Sequence, residues 1–408
     1  MIGTVGLRFG GRFDDVSVYR RAMAVIVGLS LTFRIASFFL LPDIARQWPD
    51  AGTYRTAAAE LLSGRVFGSP HIMPGYPLLI ALTGPGYGQL AADIVLSVLS
   101  VWCVARIALC VSGDRFASLL AGGLWAIDPF PMFYAIVGLT ETLFVALVLL
   151  TFLSYYRASY LAGAVFMTAA ILTRPLLEPM APFLIVAFSS VIQRSDWRLT
   201  GKRILLFLAV YLALMAPWWL HNELKYKQFV RLNLSSGWVL FAGNNPMNTE
   251  GGNMAGVDVD PKAFSNIADP IAQHRAMQDS ALDFIRANPQ RFIRLAGLKF
   301  RRLWRLWPYY KDFAQPFFIV ISALTMAPLI ALAIAGTILQ WRLRWREMSP
   351  ILLFIALTTA VHVITIASVR YRFPMEPFLA VLGAPALAWA VRRACALWRS
   401  RVPALTST

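Results

Sequence analysis

Long apolar runs separated by short polar connections make up most of this chain. They fall near 22–41, 90–111, 116–136, 140–156, 159–173, 177–192, 204–220, 314–340, 349–367 and 375–391. A helix needs about 20 apolar residues to cross the hydrocarbon core, so the pattern predicts an all-α polytopic membrane protein with about ten transmembrane helices. The fifth and sixth runs are short and enclose Arg174, which allows a tilted or partly re-entrant hairpin in place of two full crossings. Two stretches keep a different rhythm. From Ala51 to Ser63, Tyr54, Ala57, Ala58, Leu61 and Leu62 recur at helical spacing, predicting an interfacial helix with its apolar face down. Between 221 and 312, the Gly/Asn-rich stretch AGNNPMNTEGGNMAG is followed by two helical patterns, Pro270 to Ala287 and Pro289 to Trp307. Each opens on a proline, whose missing N–H costs nothing in a first turn. The organisation expected is an N-terminal transmembrane module with the first outer loop (1–220), a small helical periplasmic cap (221–312), and a C-terminal transmembrane module with a cytoplasmic tail (313–408).

Composition agrees. Hydrophobic residues are 58% and charged residues 14% of the chain, against roughly 25% charged in soluble domains. The net charge of +17 raises nucleic-acid binding as a possibility, but no basic helix or aromatic RNA-binding motif accompanies it. Much of it flanks the apolar runs, where topology accounts for it. With the N-terminus in the cytoplasm, the arginine-rich connections SGDR, YRASY, QRSDWRLTGKR and QWRLRWRE and the tail VRRACALWRSR all fall inside. Arg8, Arg12, Arg20 and Arg21 precede the first run and no small-residue cleavage pattern follows it, so that run is expected to remain as an anchor. Cys103 and Cys110 share one span and Cys395 lies in the tail, which places no pair to staple an outer loop.

The other connections then face outward, and they hold the candidate chemistry. Asp50 sits at the head of the interfacial helix, as a cap or dipole-complementing aspartate or as a reactive carboxylate. Glu141 starts the fourth span in GLTETLF, Asp128 precedes Pro129, and Arg174 lies in LTRPLLEP. Arg370 and Arg372 stand in SVRYRFPMEP, on the side where the positive-inside rule expects few arginines. Pairing with Glu376 or Glu178 would explain them singly; a phosphate anion would explain them together, since guanidinium forks suit phosphate oxygens. Asp258 and Asp260 form a DxD with no nucleotide-binding pattern around it, which reads as a solvated loop. The four histidines, His71, His221, His274 and His362, lack metal-ligand spacing, so the sequence does not support a zinc site and assigns no divalent metal or other cofactor.

The order PDAGTY, HIMPGYPLLIAL, GLTETLF, LTRP, APWWLHNELKYKQFV, FAGNNP, DFIRANPQRFIRLAGLKFRRLW and RYRFPMEPFLAVLGA resembles the GT-C glycosyltransferases over about residues 22 to 391. It is most similar to the branch containing protein O-mannosyltransferases and lipid A aminoarabinose transferases. The resemblance implies a GT-C-like helical bundle and a sugar donor carried on a polyprenyl phosphate such as undecaprenyl phosphate. It also implies transfer to a lipid, glycan or protein acceptor at the periplasmic face of a bacterial inner membrane. Asp50 matches the first-loop acid of the family, the expected catalytic base, and Tyr54 the aromatic residue nearby. Relatives often carry a second acid beside the first, but Ala51 follows here, which puts a paired-carboxylate or metal role in doubt. His71, Pro74, Tyr76 and Pro77 match the segment before the second span. Arg174, Lys299, Arg302, Arg370 and Arg372 occupy basic positions and are candidates for the donor phosphate. For Lys299 and Arg302, lipid-headgroup binding is an equal alternative. Asn244 and Asn245 of FAGNNP, with Tyr54, His71 and Tyr76, are candidates for substrate contact, and Glu141 for a second catalytic carboxylate.

A glycosyl phosphate is already activated. The enzyme has to deprotonate the acceptor, stabilise an oxocarbenium-like centre and hold the leaving phosphate, so one carboxylate and a basic cluster suffice. A single displacement inverts the anomeric centre; retention would require a nucleophilic carboxylate beside an acid/base partner. The rival reading is a transporter or flippase for a lipid-linked anionic glycan, which would place its site near the midplane among discontinuous helices.

Overall fold

The computed structural model describes residues 15–41, 48–65, 68–252, 255–308 and 315–401. Arg8, Arg12 and the start of the connection opening at Pro42 lie outside these ranges. Among the described residues the elements are helical, apart from one isolated bridge, Ala255 to Val259.

Helices α1 (Val16–Leu40), α2 (Pro49–Leu62), α3 (Gly75–Thr83) and α4 (Tyr87–Ser112) come first. The run at 116–136 divides into α5 (Arg115–Ile127) and α6 (Pro129–Tyr134), because Pro129 cannot continue the helix; Asp128 caps the new start, accepting from Phe130 N at 2.9 Å. Then follow α7 (Thr140–Tyr156), α8 (Tyr160–Thr173) and α9 (Ala181–Val186), which continues as a π-helical turn to Ile192. At 1.5 Å per residue α8 spans only about 21 Å, short of the ~30 Å core, so the Arg174 hairpin is the shortened pair its length implied. Helix α10 (Trp197–Tyr226) leads to α11 (Ser235–Gly243), α12 (Pro270–Ala287) and α13 (Pro289–Leu303). The last two are the expected cap helices; α3 and α11 were not anticipated.

Helix α14 runs Pro316–Ile364 as 49 residues, interrupted where Arg344 leaves helical φ/ψ. Straight, it would measure about 74 Å. It doubles back instead. A Cβ on Gly336 would lie 2.0 Å from Leu382 O, while Phe354 packs on Phe378 at 5.3 Å, so positions 18 residues apart meet sites one helical turn apart on α16 (Glu376–Arg401). The two limbs are the expected eighth and ninth spans. Between them and α16 stands the one-turn α15 (Val369–Arg372).

The arginine-rich connections gather at one end of the bundle. Arg392 pairs with Asp114 at 2.8 Å, Tyr156 donates to Glu347 O at 2.6 Å, Gln193 donates to Tyr155 O at 3.0 Å, and Arg203 covers the Tyr160 ring at 4.0 Å. The candidate residues lie on the opposite connections.

Candidate active site

Four connections at the end of the bundle away from the arginine-rich ones meet in one charged cluster. Glu141 starts α7 and is fully buried; its Oε1 accepts from Arg174 Nη1 at 2.7 Å and from Arg370 Nε at 2.5 Å. Arg370 Nη1 extends 2.8 Å to Asp50 Oδ2, whose side chain is 51% exposed. The order is therefore Arg174, Glu141, Arg370, Asp50, drawn from positions up to 320 residues apart. Two cations and the positive end of α7 offset the cost of burying Glu141. Asp50 is not the helix cap: Trp48 holds that position without a side-chain hydrogen bond, and Asp50 sits in the first turn with its carboxylate turned to Arg370. Each guanidinium has five N–H donors, so Arg174 and Arg370 retain donors for a further anion.

Aromatic rings wall the cluster. The Arg370 guanidinium lies 6.0 Å from the Trp48 ring, and that of Arg174 lies 5.8 Å from both Phe144 and Tyr371. Tyr371 stacks on His362 at 4.8 Å, which fixes the backbone beside Arg370. Tyr54 meets Tyr76 edge-on at 5.4 Å. Burial, and next the Glu141 charge, push the Tyr54 phenol above its ordinary pKa, so it remains a proton donor.

Arg372 takes another direction. It is fully buried, donates to Glu376 at 2.9 Å and to the carbonyls of Leu303 and Arg305, and thereby ties the end of α13 to α15. The pairing with Glu376 is one of the two alternatives the sequence offered. Glu178 pairs instead with Arg231 at 3.1 Å and accepts from Tyr211.

A second group joins the cap to the bundle. Lys299 Nζ donates to Asn244 Oδ1 at 2.9 Å and to Ile364 O at 3.2 Å, and Asn244 Nδ2 donates to the same carbonyl at 2.9 Å. Burial lowers the Lys299 pKa to about 7. Asn245 binds within the cap, donating to Asp258 O at 3.0 Å and accepting from Met247 N at 2.9 Å. Gly243 permits this docking, since a Cβ there would lie 1.8 Å from Thr365 O. Asp258 departs from the solvated loop expected of the DxD: it is buried, and it shares the space over Gly252 with Arg302, their atoms falling 2.1 and 2.9 Å from where a Cβ would stand. The cap closes over an acid that the missing nucleotide-binding pattern had assigned to solvent. His71 is exposed, and its carbonyl accepts from Asn233 at 2.8 Å.

Sequence reasoning passed over two buried groups. Arg34, inside α1, donates to Ser97 Oγ at 2.7 Å and to Ala126 O at 3.1 Å. Asp93, in the first half of α4, accepts from Tyr76 OH at 2.6 Å, and Gln89 Nε2 donates to the same hydroxyl at 2.9 Å. The signal was present in both cases, because an ionisable residue inside an apolar run is itself informative.

No protein-family model and no curated protein sequence matches the chain. Solved structures do. The archaeal oligosaccharyltransferase AglB from Archaeoglobus fulgidus, in complex with an inhibitory peptide and a dolichol-phosphate, superposes with a TM-score of 0.57 at 14% identity over 98% of this chain. ArnT from Cupriavidus metallidurans in the apo state gives 0.54 at 16% identity over 94%. The chain spans 53% of that AglB chain and 65% of that ArnT chain. The chain therefore shares the fold of these two structures, a helical membrane bundle of the kind that the sequence resemblance implied.

Proposed function

We propose that this chain is a membrane glycosyltransferase that moves a sugar from a polyprenyl-phosphate carrier to an acceptor hydroxyl or phosphate, at the periplasmic face of a bacterial inner membrane. The observation that carries the reading is the charged cluster: a half-exposed carboxylate 2.8 Å from an arginine that is anchored on a buried acid with a second arginine. The GT-C fold and the dolichol-phosphate named for AglB support a lipid-phosphate donor.

Asp50 is the base. It takes the proton of the acceptor hydroxyl as that oxygen bonds to the anomeric carbon. The bond from that carbon to the phosphate oxygen breaks, its electron pair leaving with the polyprenyl phosphate, and the anomeric centre inverts. Arg370 and Arg174 hold the phosphate as charge develops on it, a contribution that grows where water is scarce. Glu141 works through them: both its arginine contacts use one oxygen, so it fixes the two guanidinium groups side by side. The resting cluster is electrically balanced, and an arriving phosphate competes with Asp50 for Arg370, freeing the carboxylate when it is needed. Lys299 and Asn244 keep the cap on the bundle, Asn245 and Arg302 lie against other parts of the cap, and Arg372 holds α15 beneath it.

The test is transfer from an undecaprenyl-phosphate-linked labelled sugar in proteoliposomes. Asp50→Asn should lower transfer by about 10²-fold or more while undecaprenyl phosphate still binds. Transfer at the normal rate would remove Asp50 from the mechanism. Movement of the lipid-linked glycan across the bilayer without any acceptor would favour the transporter reading.

A further inference from the structure

Beside the charged cluster lies a cavity of about 240 Å³, lined among others by Phe38, Arg55, Gln89, Leu90, Asp93 and Gly138. Its polar wall has a definite sense. Gln89 Nε2 donates to Tyr76 OH, and Tyr76 OH donates to Asp93 Oδ2. The Tyr76 hydroxyl hydrogen is thereby spent, while Gln89 Nε2 keeps a second N–H. Asp93 is 1% exposed, and its Oδ1 has no hydrogen-bond partner among the described residues. A buried oxygen of this kind calls for a donor, which a ligand hydroxyl supplies. At the rim, exposed Arg55 uses Nε on Ala51 O at 3.2 Å, which leaves the outer edge of its guanidinium for an anion. The opposite side is apolar: Phe38 at the end of α1 and Leu90 at the start of α4 suit a hydrocarbon chain.

The location is equally specific. Ala51 directly follows Asp50, and a Cβ on Gly138 would lie 3.8 Å from Ala51 Cβ, so Gly138, which lines the cavity, packs against the residue next to the proposed base. Gly138 has φ of +70°, and its missing side chain leaves room for Gln89 Nε2, which would otherwise stand 2.7 Å from a Cβ.

We propose that this cavity is the acceptor subsite and that it takes an anionic amphiphile with a hydroxyl-bearing headgroup: hydroxyl on Asp93, anionic group on Arg55, alkyl chain leaving between α1 and α4. The inference rests on the glycosyltransferase reading and adds the acceptor class to it.

Phosphatidylglycerol carries both headgroup features and serves as the probe, with phosphatidylcholine as the control lacking both the hydroxyls and the net negative charge. Retention of each lipid by the purified protein is read by native mass spectrometry. Wild type should hold phosphatidylglycerol over phosphatidylcholine. Asp93→Asn and Arg55→Gln should each weaken that retention about tenfold or more, the loss of a direct polar contact, and leave undecaprenyl phosphate bound. Arg174→Gln should do the reverse. Arg55 lies on an exposed rim, so its variant keeps the test decisive even if Asp93→Asn fails to fold. Unchanged phosphatidylglycerol retention in Arg55→Gln overturns the proposal, as does loss of undecaprenyl phosphate in place of phosphatidylglycerol. Equal competition by free glycerol 3-phosphate would make the ligand a soluble headgroup and overturn the lipid assignment. Phosphatidylglycerol held as expected by a chain that transfers no sugar would keep the lipid site and remove its acceptor role.

Discussion

The two carboxylates of the cluster should fail in opposite ways when neutralised. Glu141→Gln keeps the shape of the side chain and removes its charge, leaving Arg174 and Arg370 without the buried acid they share at 2.7 and 2.5 Å. Removing one partner of a fully buried pair costs about 3–5 kcal/mol. Here the two arginines are 19% and 23% exposed and can recover some hydration, so a loss of roughly 2–4 kcal/mol is expected. Asp50 is half exposed, and Asp50→Asn should cost only about 0–1 kcal/mol, the range of solvent-screened pairs. The assay is SDS-titrated unfolding in mixed micelles, run beside sugar transfer on the same preparations. Glu141→Gln should lose stability and transfer together. Asp50→Asn should lose transfer alone. Equal destabilisation by both substitutions, or a Glu141→Gln protein as stable as wild type, would refute the view that Glu141 organises the arginines while Asp50 stands free to react.

Lys299 makes stability depend on pH. Its folded pKa is lowered from 10.5 to about 7 by burial, so between those values the unfolded chain holds the proton and the folded chain does not. The cost is therefore fully present below pH 7, and stability should rise as pH increases from 7 toward 10; thermal melts of wild type and Lys299→Met check this, the variant giving a flatter profile in that window. Gly336 lets the first limb of α14 touch α16, and Gly336→Ala, whose Cβ would fall 2.0 Å from Leu382 O, should destabilise by about 1–3 kcal/mol in the same SDS titration. Gly138→Ala should displace Gln89 and lower phosphatidylglycerol retention with little change in undecaprenyl phosphate binding, measured by native mass spectrometry.

Some of this was legible in the order of residues alone. Membrane spans are local: about 20 apolar residues must satisfy their own backbone wherever they lie, so the run lengths and arginine-rich turns state the helical bundle and its two ends directly. The cap helices were equally plain, because a proline in the first turn and an amphipathic pattern are local signals. The break after Ile127 could be read from Asp128–Pro129, but that 316–364 folds back at Arg344 became clear only from what each limb touches on α16.

Partnership was decided elsewhere. Sequence named Asp50, Glu141, Arg174 and Arg370 as outward-facing charges, but an ion pair spanning 320 positions has no local signature, and only the packing of four connections at one end of the bundle joins them. The same packing separated Arg370, aimed at the cluster, from Arg372 two positions later, which is turned into the bundle toward Glu376. Residues two apart on a helical turn point to nearly opposite sides, and which side meets solvent, acid or backbone depends on what the rest of the chain has placed there. Residue type set the available charges; tertiary structure chose their neighbours, because electrostatic energy depends on distance and burial that a linear order does not contain.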